Sequence, residues 1–306
     1  SLVITFGGVG LTIFLAVMFL MMYMGFDLLP ALVIAVAISN TATEIVVVML
    51  EHSYEVSDEF RRVLVMSSFI DDIVAILFMS LLRGAMVGEV GAVSFELLKL
   101  IGFFAISLAI TFLVMRYAPR LVYPLVVNWD YLLFLSSVIF FGLVFAAYEL
   151  GISEIFGAYI AGLVIGMLRL VHDPTLVYTV RVEEFVSRMS TVLEFFIIPI
   201  FFVYIGYNTL VSQLLSPLSL IILALAFTGK FVGVVLASIP WGRLTQSLTL
   251  GLAMNVRGSI EPAVALVALE RGIIQQDLFS AVVAVSLFTS TVIPVIFNLI
   301  TRLKRI

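Results

Sequence analysis

The chain of 306 residues is 63% hydrophobic and 12% charged, with a mean hydropathy of +1.24 and a formal net charge of −4. Soluble domains carry roughly twice that share of charged residues, so a water-soluble globular fold is excluded, and so is disorder. With 16 Lys and Arg against 20 Asp and Glu there is no basic surplus for nucleic acid, and the lack of cysteine excludes disulfides, thiolate metal sites and thiol chemistry.

Crossing a hydrocarbon core takes about 20 apolar residues per helix. The chain divides into about ten such stretches: 1–24, 28–50, 59–82, 95–117, 130–150, 153–171, 185–207, 216–239, 246–270 and 277–300. The first opens directly at Ser1, with no initiator Met and no n-region. No cleavage site follows it, which weighs against a signal peptide. The second holds a polar run, Ser39-Asn40-Thr41-Ala42-Thr43-Glu44, and the third holds Asp71-Asp72 near its middle. The next four keep Glu149, Glu154 and Glu194 near helix ends. The eighth carries Lys230 beside Gly229 and Gly233, and the ninth runs Asn255-Val256-Arg257-Gly258-Ser259-Ile260-Glu261-Pro262. Stretches such as 28–38 are apolar all round rather than alternating, which favours helices over a transmembrane barrel. The expectation is an all-α polytopic membrane protein forming one transmembrane domain.

Loop charges set the orientation. The even-numbered connections and the C-terminal tail hold eleven basic residues: Arg61, Arg62, Arg116, Arg120, Arg169, Arg181, Arg188, Arg243, Arg302, Lys304 and Arg305. The odd-numbered connections hold three: Arg83, Lys99 and Arg271. The even loops and the C-terminus are therefore expected in the cytoplasm, with the protein multi-pass in the cell (inner) membrane.

The informative residues are the ionisable ones at membrane depth, each of which must pair or face a cavity. Two adjacent acids point about 100° apart on a helix, so Asp71 and Asp72 face different partners around one cavity. Burial favours a carboxylate's proton and a nearby cation favours its charge. A group poised between the two can hold a proton or a metal cation, and competition for it couples two fluxes. Lys230 is the expected partner of Asp71, since the third and eighth segments are antiparallel and both charges fall near mid-depth. Glycines on either side of Lys230 would let another helix approach closely.

The polar run of the second segment and the Gly-Pro-containing run of the ninth read as interruptions, which persist at membrane depth where they line a cavity or lie buried in protein. The two segments run in opposite directions. Interrupted helices at corresponding places in inverted halves point to a transporter's binding site. His52, beside Glu51 and Glu55, reads as a solvated loop residue, and 181–188 as an interfacial amphipathic segment.

These residues carry a resemblance. Thr41-Ala42-Thr43, Phe69-Ile70-Asp71-Asp72, the run Gly151 to Gly162, Pro199-Ile200-Phe201-Phe202 to Gly206, Gly229-Lys230 and Met254-Asn255-Val256-Arg257-Gly258 are similar, in order, to motifs of sodium/proton antiporters. They resemble the NapA-like branch of the cation:proton antiporter superfamily, and the match runs the whole length of the chain. The resemblance implies an NhaA/NapA-like fold with inverted repeats, two crossed interrupted helices and thirteen helices in all, so that about three N-terminal helices would be missing here. It implies a homodimer, an ion-carrying core (1–82 with 216–300) and a scaffold within 95–207.

Residue by residue, Asp72 matches the shared ion and proton carboxylate, and Asp71 the second aspartate, which pairs with the lysine matched by Lys230 in electrogenic members. Thr41, Thr43 and Ser68 would add oxygen ligands for Na+, and Asn40, Glu44, Asn255, Arg257 and Glu261 would support the crossing. Two positions depart from the pattern. Ser259 stands where many relatives have Glu after Arg-Gly, and Glu44 where a small or apolar residue is usual.

The function expected is exchange of Na+ or Li+ for H+ by alternating access, with no cofactor. K+/H+ exchange is the alternative within the superfamily, although potassium-efflux relatives usually carry a soluble regulatory domain after the last helix. A channel would need a continuous pore. An intramembrane aspartyl protease places its acids on different helices and carries a Gly-x-Gly-Asp motif, which is absent.

Overall fold

The computed structural model describes residues 1–53, 56–85, 92–117, 128–167 and 177–303. The end of the sixth predicted stretch (168–171) and Glu55, Arg120, Arg169, Lys304 and Arg305 lie outside the described residues. Among the described residues the secondary structure is helical, without strands. The helices are α1 (Leu2–Met24), α2 (Leu28–Ala37), α3 (Thr43–Glu51), α4 (Asp58–Ala85), α5 (Ala92–Tyr117), α6 (Trp129–Glu149) and α7 (Glu154–Met167). They continue with α8 (Val177–Val192), α9 (Ile198–Asn208), α10 (Pro217–Ser238), α11 (Leu244–Ala253), α12 (Ile260–Glu270) and α13 (Gln276–Leu303).

All ten predicted stretches are helical, and five helical stretches are long and apolar enough to cross a membrane: Leu2–Met24, Trp129–Glu149, Thr179–Asn208, Pro217–Trp241 and Gln276–Arg302. The second and ninth predicted stretches are each split in two, into α2 with α3 and α11 with α12. The split follows from local chemistry. Ser39 donates its hydroxyl to Val36 O at 2.9 Å, capping α2, and Asn255 donates Nδ2 to Gly251 O at 2.7 Å, capping α11 in the same way. Segment 181–188 lies within α8, where Glu184 accepts from Arg181 at 3.0 Å and Arg188 at 2.5 Å. A π turn at Leu193–Ile197 joins α8 to α9.

The chain forms two compact units, one of residues Ser1–Ala75 with Tyr204–Ile306 and one of Ile76–Val203. In the second unit, α6 ends at Gly151, whose φ of 75° is open to glycine without strain. The chain turns there into α7, and Ile76, Leu100, Phe103, Phe156 and Ile160 form the core. In the first unit, Val46, Leu50, Phe60, Leu64, Val234, Leu250, Met254 and Phe297 form the core, with Phe60 and Phe297 stacked at 6.4 Å.

The tightest packing in that unit is α1 against α10. A Cβ on Gly229 would lie 2.7 Å from Thr12 Cα, and one on Gly233 would run into the backbone of Gly7. Neither neighbour is the flexible end of a side chain, so the backbone itself must move to admit a methyl group. Gly233→Ala should therefore cost about 1–3 kcal/mol of stability, the usual range for overpacking. Unfolding in detergent at an unchanged midpoint would contradict the packing. This crossing also sets the site, because the stem of Lys230 lies against Gly8 of α1.

Candidate ion site at two crossed helix breaks

The break after α2 and the break after α11 meet, and each supplies hydrogen bonds the other lacks. An interrupted helix leaves unpaired N–H and C=O groups, which cost several kcal/mol each where water is absent. Ala42 N donates to Val256 O at 2.9 Å across the crossing, and Thr41 Oγ1 lies 2.8 Å from Met254 O. Lys230 Nζ donates to Ser39 O at 2.7 Å. Arg257 donates Nη1 to Asn40 O and Nη2 to Ala226 O, the latter at 3.2 Å. Two buried cations therefore cover the carbonyl side of the breaks.

The N–H side is covered by carboxylates. Glu261 Oε2 accepts from Gly258 N at 2.8 Å. Glu44 Oε1 accepts from Ser259 N at 3.3 Å and from Ser259 Oγ at 3.1 Å. Gly258 sits between them, since a Cβ there would lie 2.6 Å from Ala42 Cβ and run into Glu44. Ser286 of α13 donates its hydroxyl to Gly258 O at 2.7 Å. The arrangement matches cations to helix C-terminal ends and anions to N-terminal ends.

Asp71 and Asp72 of α4 face this crossing from different angles. Asp71 is 1% exposed; its Oδ2 forms an ion pair with Lys230, which is fully buried, and accepts from Thr41 Oγ1 at 2.5 Å. The Thr41 hydroxyl has one hydrogen for two acceptors, Asp71 and Met254 O, so it can hold only one of them at full strength at a time. Asp72 is only partly buried. Its Oδ1 accepts from Asn40 Nδ2 at 3.1 Å and its Oδ2 from Thr43 Oγ1 at 2.7 Å. Among the described residues, Asp71 Oδ1 and Asn40 Oδ1 are buried oxygens without a hydrogen-bond partner from the protein.

The structure thus brings Asn40, Thr41, Thr43, Asp71, Asp72, Lys230 and Arg257 together. Ser68 points elsewhere in its bonding, donating to Leu64 O of its own helix at 2.8 Å. Asn255 caps α11 and does not bond to either aspartate. His52 is exposed and bonds its own helix at Val48 O, 2.9 Å away. Sequence reasoning missed Gly8, Ser286 and the carbonyls of Ser39, Ala226 and Met254. The polar run could have pointed to Ser39; Ser286 and Gly8 carry no signal of their own. The two positions that depart from the family pattern, Glu44 and Ser259, touch one another.

Chemically, the site offers an accessible carboxylate next to a buried ion pair, ringed by hydroxyl, amide and backbone oxygens. Among the described residues, no three His, Asp or Glu side chains converge on one metal position. A cation bound here would be completed by neutral oxygens, which suits a hard monovalent ion better than a tightly held divalent one.

A family model described as "Sodium/hydrogen exchanger, transmembrane" matches residues 1–303. The chain is 25% identical over 290 residues to Cation/H(+) antiporter 15 of Arabidopsis thaliana, covering 90% of this chain and 33% of that protein. It is 29% identical over 148 residues to Na(+)/H(+) antiporter NhaS4 of a Synechocystis species, covering 47% of this chain and 34% of that one. It is 24% identical over 292 residues to Probable Na(+)/H(+) antiporter 3 of Methanocaldococcus jannaschii, covering 90% and 69%. The chain thus spans about a third of the length of the Arabidopsis relative.

Proposed function

The chain belongs to this sodium/hydrogen exchanger family, and from that premise we propose that it is a secondary antiporter exchanging Na+ or Li+ for H+ across a cell membrane. The observation that carries the reading is the partly exposed Asp72 beside the buried Asp71–Lys230 pair, at the meeting of two helix breaks. Asp72 is the shared carboxylate, taking either a cation or a proton. Thr41, Thr43, Asn40 and the unwound backbone supply the neutral oxygens.

When the cation arrives, Asp71 turns from Lys230 to the ion, and Lys230 gives up its proton. Two protons then exchange for one cation, moving one net charge per cycle, which is worth about 2.3 kcal/mol per 100 mV of membrane potential. Residues 1–82 with 216–300 form the ion-carrying core and 95–207 contain the scaffold, on which a homodimer assembles. The C-terminus lies in the cytoplasm. Two names among the relatives carry Na+ and one carries only "cation". That balance favours Na+ as the transported ion.

The test is collapse of a preformed proton gradient in proteoliposomes of the full-length protein, with Na+, Li+ and K+ added in turn. Dequenching with Na+ or Li+ alone is the expected result. A response to K+ of equal size would move the substrate to K+, and no response to any of the three ions would overturn the reading. Raising a potassium-valinomycin diffusion potential should change the Na+-driven rate; indifference to it would remove the electrogenic part.

A further inference from the structure

Resting on that exchange reading, we infer that Glu44 is a positioning residue: its single carboxylate serves the N-terminal ends of two half-helices at once and holds the partners of Asp72 in register. Glu44 is the second residue of α3, and Ser259, which donates to it from both backbone and hydroxyl, immediately precedes α12. The ends of α3 and α12 both direct partial positive charge at this junction. Glu261, 2% exposed, covers Gly258 N from within, whereas Glu44 covers the exposed side.

Thr43, the residue before Glu44 in the same first turn, donates to Asp72 at 2.7 Å. Anything that loosens Glu44 from Ser259 frees that turn, and with it the hydroxyl on Asp72. Glu44 touches neither aspartate by hydrogen bond, so it acts through Thr43 and through its charge.

The contact predicts that the charge can be relocated. The Glu44 carboxylate already abuts the Ser259 side chain, so a carboxylate carried by position 259 reaches the same junction from α12, with serine at 44 in the donor's role. A carboxylate at both positions would place like charges together.

The experiment measures Na+-driven proton exchange and the thermal midpoint in detergent for Glu44→Gln, Glu44→Ser, Ser259→Glu and Glu44→Ser/Ser259→Glu. Glu44→Gln keeps length and an acceptor oxygen but not charge, and its apparent KM for Na+ should rise about two- to fivefold, the span of one helix-end charge interaction, with maximal rate little changed. Glu44→Ser and Ser259→Glu should each be worse. The double variant should return both KM and midpoint most of the way to wild type.

A folded double variant with KM no lower than Glu44→Ser, or Glu44→Gln with unchanged KM, overturns the inference. Should Glu44→Ser fail to fold, Glu44→Gln decides alone. A wild-type protein with no cation-dependent signal sinks the exchange reading itself. The relocation then still reads in the midpoint, where a double variant no more stable than Glu44→Ser overturns the positioning role.

Discussion

Asp72→Asn should abolish Na+-driven collapse of a proton gradient, leaving the signal of empty liposomes, while the protein keeps its fold. The substitution is clean because of how the carboxylate is held. Asn40 Nδ2 donates to one oxygen and Thr43 Oγ1 to the other. An asparagine can keep its amide oxygen on Asn40 and offer its NH2 to the Thr43 hydroxyl, which rotates to accept. What disappears is the negative charge and the place for a transferable proton. With neither, cation and proton no longer compete for one group, and coupling is lost rather than weakened. Unfolding in detergent near the wild-type midpoint would show that the site was changed and not the scaffold. Wild-type exchange rates in this variant would remove Asp72 from the mechanism.

Lys230→Met should be the most destabilising single change at the site, costing about 3–5 kcal/mol, the range for stranding one partner of a buried ion pair. It leaves Asp71 buried with the shared Thr41 hydroxyl and deprives Ser39 O of its donor. Asp71→Asn/Lys230→Met should recover most of the loss, because replacing a whole buried pair by neutral groups of similar size is often close to neutral. Denaturant or thermal unfolding of the three variants reads the cycle directly. A single variant as stable as wild type would mean that Asp71 finds another partner when Lys230 is gone. In transport, the double variant should lose its response to an imposed membrane potential more than its exchange.

Much of this site was legible from residue type and depth alone. Charges in a hydrocarbon layer must find one another, so Asp71 and Lys230, both mid-depth on antiparallel segments, were an expected pair. Polar runs containing Asn, Gly and Pro marked the two breaks, because helices do not tolerate such residues in lipid without a replacement for the lost hydrogen bonds.

The rest was illegible for physical reasons. Ser68 is three and four residues before the aspartates and so shares their face of α4, yet a serine in an apolar helix readily bonds the carbonyl one turn back, and that is where its hydroxyl goes. Gly229 and Gly233 announced a close approach without naming its partner; only the three-dimensional structure identifies α1 through Gly7, Gly8 and Thr12. The contact of Glu44 with Ser259 joins residues 215 positions apart, and neither residue's local sequence carries a trace of the other. Each looked like an isolated departure, and together they form one joint.

The reciprocal bonding at the breaks has a mechanical meaning. Ala42 gives its N–H to Val256, Thr41 reaches Met254 and Arg257 reaches Asn40. Neither interrupted helix can therefore be rotated or slid by one residue without stranding groups on both. The crossing behaves like a pinned lap joint, in which force applied to either member is carried by the pair. Labels placed on α3 and on α12 should keep a constant separation whether the cation is present or absent, whatever other displacement accompanies transport.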